Sequence, residues 1–424
     1  MGGVIEPYMF RCILLILIIF VLLVSLRWIV TGISLHNNSK KIEAQKELTI
    51  ERNVKWEKHK RNINEPLFAW LKKEIVAVNS WNYYKKTFIS NDGRVIDHQR
   101  ASVTTSEGQA YAMRRALMMG DKVTFDKIYD WAKYNLQHKN DKLFAWLWGQ
   151  KNLGNSSKIE YGVIDQNGAT DAGTEIAINL ILASKVWQQK SYMDDALKLL
   201  KDIWNKETIE IKGERILISG VNQNTTENIE VNPSYFMPYG FRIFSEVDKD
   251  HDWQKLVDSS YRLVNYCIDK IPSGLPPDFF YINKHTGIIT FDRDRSDFSY
   301  DAVRVFYRFY VDYIITRDPR AKELLFRSKL FINRWKKEGM FYTNYEQNGE
   351  IKDYNQVIGS ISLMLPVIKM YDKNVANEIY QNRVNAKYHS EGYWDDPLNY
   401  YAQNLIWFGN WLYLNEGNIQ SFEY

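Results

Sequence analysis

The amino-acid sequence predicts an all-α fold for most of its 424 residues. Apolar residues recur at spacings of three and four in twelve successive segments, which is the pattern of helices with a buried face. Strand-like pieces are short: RVID, and a β-hairpin centred on Lys212–Gly213 in IEIKGERILISG. The two cysteines offer no internal disulfide, because Cys12 lies in an apolar N-terminal run far from Cys267. A helical core must therefore hold the fold together.

The twelve helical segments alternate between more apolar and more amphipathic sequences. This alternation suggests six helical hairpins closed in a ring. No internal sequence repeat supports the closure, so periodicity alone leaves other all-α bundles open. In chain order the segments are EPLFAWLKKEIVAV, SEGQAYAMRRALMMG, TFDKIYDWAKYNLQ, DAGTEIAINLILASKVW, YMDDALKLLKDIWN, NPSYFMPYGFRIFSEV, DWQKLVDSSYRLVNYCI, YDAVRVFYRFYVDYII, PRAKELLFRSKLFINRWKK, YNQVIGSISLMLPVIKM, NVANEIYQNRV and PLNYYAQNLIWFGNWLYL.

The N-terminus predicts a membrane anchor. Cys12–Leu26 is an apolar run of 15 residues, followed by Arg27 and a second apolar patch, WIVTGIS. No small-x-small cleavage site follows the run, and both patches together reach the ~20 residues that a spanning helix needs. We therefore predict an uncleaved signal anchor in residues 1–35, a charged helical stem in residues 36–62 and the main domain in residues 63–424.

The positive charge of the chain is concentrated in the stem. Residues 36–62 contain eight Lys or Arg and four Glu, which equals the formal net charge of +4 of the whole chain. The main domain is therefore close to neutral, which argues against a nucleic-acid partner. Basic residues flank the apolar run on both sides, so charge does not decide the membrane orientation.

Several kinds of catalytic site are excluded by missing motifs. The chain has no Gly-x-Ser-x-Gly elbow, no phosphate-binding Gly-x4-Gly-Lys loop and no His-Glu-x-x-His pair. Its seven histidines are scattered, and DKDHD lacks the glycine and glutamate that would complete a calcium loop. We expect neither a metal nor a cofactor.

Three acidic residues lie where helices are predicted to begin: Glu107, Asp171 and Asp301. Each has an ordinary explanation, because acids and hydroxyls at a helix start satisfy free amides and complement the helix dipole. On that interpretation Thr104 and Glu107 form a capping box, with Ser106 as a further cap. The second helix is capped by Thr170 or Asp171, and the third by a serine, Ser299, with Asp301 in its first turn.

The neighbours of these acids favour a catalytic interpretation. A helix start lowers the pKa of a carboxyl, so Glu107 must be buried against apolar or aromatic walls to keep its proton near neutrality. Trp146 and Trp148 are candidates for those walls. Arg304, one turn after Asp301, would keep that acid ionised and oriented. One protonated acid and one ionised base are the pair that glycosidic hydrolysis requires.

Longer stretches of the chain resemble family-8 glycoside hydrolases. GRVIDHQRASVTTSEGQAYAMRRALMMGDKVTFDKIYDW resembles the start of that family's domain, and ATDAGTEIAINLILASKVW resembles its signature, Ala-Ser/Thr-Asp-Ala/Gly-Asp before an apolar helix. NPSYFMPYGFRIF, SGLPPDFF, YDAVRVFYR and YYAQNLIWFG follow in the family's order. The resemblance covers roughly residues 80–415. One departure is Gly173, which stands where the signature has its second Asp.

The resemblance implies an (α/α)6 barrel and hydrolysis with inversion at the anomeric carbon. It assigns Glu107 as the general acid and Asp301 as the base, while Asp171 holds the distorted sugar beside the scissile bond. Four further residues would line the substrate subsites: Arg304, Tyr235, Trp146 and Tyr300. The missing second Asp puts cellulose as the substrate in doubt more than it does catalysis.

Together these features lead us to expect a single-pass protein of the cell membrane with an extracellular catalytic domain. Its expected activity is inverting endo-hydrolysis of a β-1,4-linked polysaccharide, either an exopolysaccharide or a cellulose-like glucan. An exopolysaccharide synthesis or export machinery is a candidate partner. One alternative is a catalytically silent polysaccharide-binding or scaffold protein of such a machinery. Another is a polysaccharide lyase, which nothing in the chain favours.

Overall fold

The structure, a computed structural model, describes residues 67–151, 159–222 and 227–415. The predicted anchor in residues 1–35 and stem in residues 36–62 lie outside these ranges, so their boundaries stay predictions. No helix of the described ranges combines the length and the apolar character needed to cross a membrane. These ranges are mostly helical, which confirms the all-α prediction.

Thirteen α-helices occur in the described residues. They are α1 Leu67–Phe88, α2 Ser106–Met118, α3 Lys122–Asn135, α4 Thr170–Val186, α5 Lys190–Lys206, α6 Pro238–Val247, α7 Gln254–Lys270, α8 Val303–Thr316, α9 Arg320–Phe326, α10 Lys329–Glu338, α11 Ile358–Tyr371, α12 Lys373–Ile379 and α13 Tyr400–Leu414.

Short strands lie between the helices and form five small antiparallel sheets within the same ranges. They are β1 Thr104–Thr105, β2 Ala145–Gln150, β3 Tyr161–Gly168, β4 Thr208–Ile211, β5 Glu214–Leu217, β6 Asn228–Val231, β7 Phe280–Asn283, β8 Ile289–Thr290, β9 Asn344–Tyr345, β10 Ile351–Asp353, β11 Tyr388–His389 and β12 Tyr393–Trp394.

Six of the helices contact one another in a ring. The contacts run from α2 to α4, α6, α8, α11 and α13, and α13 returns to α2. A second helix packs against most of these inner helices: α3 on α2, α5 on α4, α7 on α6, α9 on α8 and α12 on α11. These contacts agree with the helical hairpins closed in a ring that the alternating pattern suggests.

The inner and outer helices differ in how much of their surface is buried. In α4, every residue from Thr170 to Ala183 is buried, and its mean composition is strongly apolar. In its outer partner α5, burial is confined to one stripe that includes Ala196, Leu199 and Ile203. A helix that is apolar all round belongs inside, and an amphipathic one belongs at the surface.

The one predicted helix over residues 319–337 is broken into α9 and α10. At the break, the amides of Arg327 and Ser328 donate to the carbonyls of Leu324 and Leu325, three residues back. This tighter hydrogen bonding ends the α-helical turn and redirects the chain. The structure therefore has thirteen helices in its described part rather than the twelve that were predicted.

The predicted hairpin around Lys212–Gly213 is confirmed as β4 and β5. Both turn residues have positive φ, +53° at Lys212 and +82° at Gly213. Positive φ at both central residues gives a type I′ turn, whose twist matches that of the paired strands. The strands matter for the site because β1, β3 and β6 lead into the starts of α2, α4 and the short 3-10 helix Pro233–Tyr235.

Gly409 allows α11 and α13 to pack closely, and its replacement is expected to destabilise the protein. A Cβ at Gly409 would overlap the backbone carbonyl of Ser362. We expect Gly409→Ala to lower the free energy of unfolding by about 2 kcal/mol or more, since backbone must shift to make room. The measurement is urea denaturation followed by circular dichroism.

The matched control is Gly359→Ala in the same helix pair, where a Cβ would lie 3.2 Å from Leu405 Cβ and in ordinary contact with Ala402 Cα, at 3.7 Å. There the gain in helix propensity offsets a small shift of Leu405, so stability should change by less than about 1 kcal/mol. Equal losses in the two variants would show that the close approach at Gly409 is not what matters.

Candidate active site

The starts of three inner helices meet at the guanidinium of Arg304. Glu107, Asp171 and Arg304 are the second residues of α2, α4 and α8, and Asp301 lies two residues before α8. Arg304 Nη1 donates to Glu107 Oε1 and, at 3.1 Å, to Asp171 Oδ2, while Nη2 donates to Asp301 Oδ1. The structure thus brings together all three predicted acids, and Arg304 contacts Asp301 as the sequence predicts.

Glu107 does not cap α2, because another residue does. The N-cap is Thr105, whose hydroxyl oxygen accepts the Gly108 amide at 3.0 Å. Thr104 belongs to β1 instead, and its hydroxyl donates to the Val95 carbonyl at 2.6 Å. The predicted capping box at Thr104 is therefore wrong by one residue. Because Thr105 serves the helix, the carboxyl of Glu107 can turn towards Arg304.

The start of α4 places Asp171 between two arginines. Its N-cap is Ala169, so neither Thr170 nor Asp171 is the cap that was predicted. Asp171 Oδ1 accepts the next amide, Ala172 N, at 2.9 Å, and Oδ2 also lies 3.7 Å from Arg308 Nη2. Asp171 is 2% exposed. Its position is therefore set by ion pairs on one oxygen and by the backbone on the other.

The start of α8 is organised by an acid from another segment. Asp278, in the SGLPPDFF stretch, accepts the amides of Asp301 and Ala302 on Oδ1, at 3.1 and 2.7 Å. The hydroxyl of Ser299 donates to Asp278, so Ser299 is not the cap. Asp301 lies in the turn that precedes α8 rather than in its first helical turn. Asp278 thereby fixes the backbone that presents Asp301.

Sequence reasoning missed Asp278, Tyr111 and Arg308. Asp278 lies 23 residues before Asp301, and only its place in a quoted motif could have drawn attention to it. Tyr111 and Arg308 each follow a site residue by four positions, the spacing that puts two side chains on one helix face. Tyr111 donates its hydroxyl to Glu107 Oε1 at 3.0 Å.

The surroundings of Glu107 favour its protonated form. Burial is the largest cause and raises the pKa of Glu107 to about 7; Arg304 acts against this rise, whereas the charge of Asp171 adds to it. The pKa of Asp171 is also raised, mainly by burial, and the charges of Arg304 and Arg308 only partly oppose this rise. Burial therefore prevails over the helix start at Glu107, which is the condition for a general acid near neutral pH.

Two tyrosines lie close enough to Glu107 to feel its charge. The charge of Glu107 acts on Tyr111 and Tyr401, whose rings lie 6.4 Å apart and whose pKa values are raised mainly by burial. Trp148 instead packs edge to face on Trp131, at 5.3 Å. Trp146 lies 5.7 Å from the guanidinium carbon of Arg100.

Two further predicted subsite residues flank the acids. Tyr235 ends the short 3-10 helix that precedes α6, and its ring centroid lies 5.9 Å from the guanidinium carbon of Arg304. Tyr300 precedes Asp301 and is 49% exposed, so its ring is available to a ligand. Their roles, like that of Trp146, stay predictions.

The sequence pattern of glycosyl hydrolases family 8 matches residues 57–405. The chain belongs to this family. The endoglucanase of Escherichia coli strain K12 is 30% identical over 330 residues, a match that covers 76% of this chain and 86% of the relative.

Solved structures of the family have the same fold. The endo-1,4-D-glucanase from Vibrio fischeri ES114 is 26% identical, with a TM-score of 0.65 over 78% of this chain and 93% of that one. The endo-beta-1,4-glucanase CMCax from Acetobacter xylinum is 25% identical, with a TM-score of 0.62 over 81% and 98% of the two chains.

Removing the charge of Asp171 should lower the pKa of Glu107. We expect Asp171→Asn to move this pKa clearly below about 7. The variant loses a nearby negative charge, and the positive charge of Arg304 is then shared by fewer acids. The measurement is a ¹³C NMR titration of labelled carboxyl groups, with Glu107→Gln identifying the resonance.

The control for this titration is Asp121→Asn. Asp121 is also a helix-start acid, but it caps α3 and pairs with Lys85 at 2.7 Å. It should leave the Glu107 titration unchanged. If Asp171→Asn also left it unchanged, the two carboxyls would not be electrostatically coupled.

Proposed function

We propose that the chain is an inverting endo-β-1,4-glucanase in which Glu107 is the general acid and Asp301 the general base. The observation that carries the proposal is the shared contact with Arg304: a largely buried carboxyl and a more exposed one bind its two terminal nitrogens. The Glu107 side chain is 21% exposed and that of Asp301 is 31% exposed. The names of the related endoglucanases support a β-1,4-glucan as substrate.

The proposed reaction begins with proton transfer from Glu107. Arg304 and Tyr111 both donate to Oε1, so the proton of Glu107 belongs on Oε2. Oε2 protonates the glycosidic oxygen as its bond to the anomeric carbon breaks. Asp301 takes a proton from a water molecule, which attacks that carbon from the opposite face. The products are an inverted hemiacetal and a free hydroxyl, and solvent then restores both carboxyls.

Asp171 and Arg304 are proposed to shape the sugar beside the broken bond. Positive charge develops on the sugar ring in the transition state, and a buried carboxylate is well placed to stabilise it. Room for the attacking water requires the two catalytic carboxyls to stand ~6.5–9.5 Å apart when substrate is bound. A separation near 5 Å in a complex would indicate retention of configuration instead.

Replacing either catalytic acid should abolish hydrolysis. We expect Glu107→Gln and Asp301→Asn each to lower kcat by about 10²- to 10⁴-fold on a soluble β-1,4-glucan, because each removes a proton transfer. Reducing-end release measures the rate, and NMR of the first products should show the α-anomer. A panel of glucan, xylan, chitosan and mannosaminan chains identifies the sugar.

The matched control is Glu338→Gln on α10, where Glu338 pairs with Arg334 at 3.2 Å, and it should keep full activity. A Glu107→Gln variant that still performs the biological task would favour the silent binding or scaffold protein. Unsaturated products that absorb in the ultraviolet would identify a lyase.

We further propose that the enzyme acts at the cell surface on a glucan or exopolysaccharide, held in the membrane by residues 1–35 and linked to a synthesis or export machinery. The apolar run in Cys12–Leu26 supports this. Protease added to intact cells should digest the catalytic domain, and deletion of residues 1–35 should move it to the soluble fraction. A protease-resistant domain in intact cells and a soluble full-length chain would contradict the proposal.

A further inference from the structure

Gly173, the residue that departs from the family signature, lies beside the buried carboxyl of Glu207. Gly173 is the fourth residue of α4, and a Cβ there would lie 3.6 Å from Glu207 Oε2. At the end of β3, a Cβ at Gly168 would lie only 2.6 Å from Glu207 Oε1. The carboxyl thus occupies space between two positions that have no side chain.

The backbone holds Glu207 firmly in this position. It directly follows α5, its amide donates to the Ile203 carbonyl at 2.8 Å, and its carbonyl accepts the Ile218 amide at 3.0 Å. The residue is 2% exposed. Burial raises the pKa of Glu207 to about 8; an interaction with the Thr170 hydroxyl lowers it, and the charges of Asp141 and Asp171 raise it. Burial therefore favours the protonated, neutral form of this carboxyl.

The start of α4 has no capping side chain at its N-cap position. Its N-cap, Ala169, contributes no side-chain hydrogen bond, and the Thr170 amide reaches the Ser219 carbonyl only at 3.5 Å. The loss of a capping side chain at a helix start typically costs about 1 kcal/mol. The Glu207 carboxyl lies beside this first turn, with Oε2 3.6 Å from the position of a Cβ at Gly173.

We propose that Glu207 is a positioning residue that fixes the start of α4 and thereby aims Asp171 at Arg304. Its carboxyl lies between Gly168 and Gly173 and fills the space that the two missing side chains leave beside the first turn of α4. The inference rests on the proposed function, because it gives Glu207 its effect through the sugar-holding role of Asp171.

The test is a double-mutant cycle with Asp171. We expect Glu207→Ala to lower kcat by about 10- to 100-fold, as a misplaced site residue does, with KM changed by less than about twofold. Glu207→Gln, which keeps the shape and the neutral form, should restore most of kcat. In an Asp171→Asn background, Glu207→Ala should cost nothing further. A full additional loss in that background would overturn the proposal, because Glu207 would then act independently of Asp171.

Glycine variants test the same geometry without altering the acid. A Cβ at Gly168 would lie too close to Glu207 Oε1, so Gly168→Ala must displace the Glu207 carboxyl. The kinetics of Gly168→Ala should therefore match those of Glu207→Ala, and the substitution should be harmless once Glu207 is alanine. Gly173→Ala, with ordinary contact distances to Glu207 and Ile203, is the matched control and should keep full activity. If Gly168→Ala behaves like Gly173→Ala, the proposal fails.

A readout independent of hydrolysis separates the two proposals. If Asp171 moves away from Arg304, the pKa of Glu107 should fall in Glu207→Ala as it does in Asp171→Asn, and ¹³C NMR measures this without substrate. A wild-type protein inactive on every polymer would refute the proposed function alone. An unchanged Glu107 titration in Glu207→Ala would refute the role of Glu207 alone.

Discussion

The site depends on one buried cation shared by three acids. Arg304 is 4% exposed, and its terminal nitrogens hold carboxyls from the starts of α2 and α4 and from the turn before α8. Burying a guanidinium is costly unless its donors are paired, and burying three carboxyls is costly without a cation. Each charged group therefore offsets part of the desolvation cost of the others. The excess of acid favours the uptake of a proton, and burial raises the pKa values of both Glu107 and Asp171.

The helical ring explains why these groups can meet at all. The inner helices contact one another in sequence, so residues far apart in the chain converge where the helices begin. A helix start favours an ionised acid, whereas a general acid must keep its proton. Burial and the neighbouring charge of Asp171 decide the outcome at Glu107, with Tyr111 and Tyr401 close by. One architecture thus holds neighbouring carboxyls in different environments.

Periodicity predicted the helices well because each buries a continuous face, and turn chemistry predicted the β4–β5 hairpin. Local pattern failed where several residues could serve equally. In the run Thr104–Ser106, only the register of β1 decides that Thr105 is the cap. The role of Asp278 depends on a loop that returns to the start of α8, and such tertiary contacts leave no local signal. The break between α9 and α10 is likewise invisible to apolar spacing.

The departure at Gly173 shows that a sequence motif does not reveal which distant residues lie beside it in the fold. The signature places a second acid on the first turn of α4, and its absence suggests a lost function. In the folded chain, that turn still has a carboxyl beside it, supplied by Glu207 from the end of α5. A side chain at Gly173 would meet this carboxyl, and one at Gly168 would displace it. The absent side chain at Gly173 and the buried acid of Glu207 therefore lie side by side in the fold, although they are 34 residues apart in the chain.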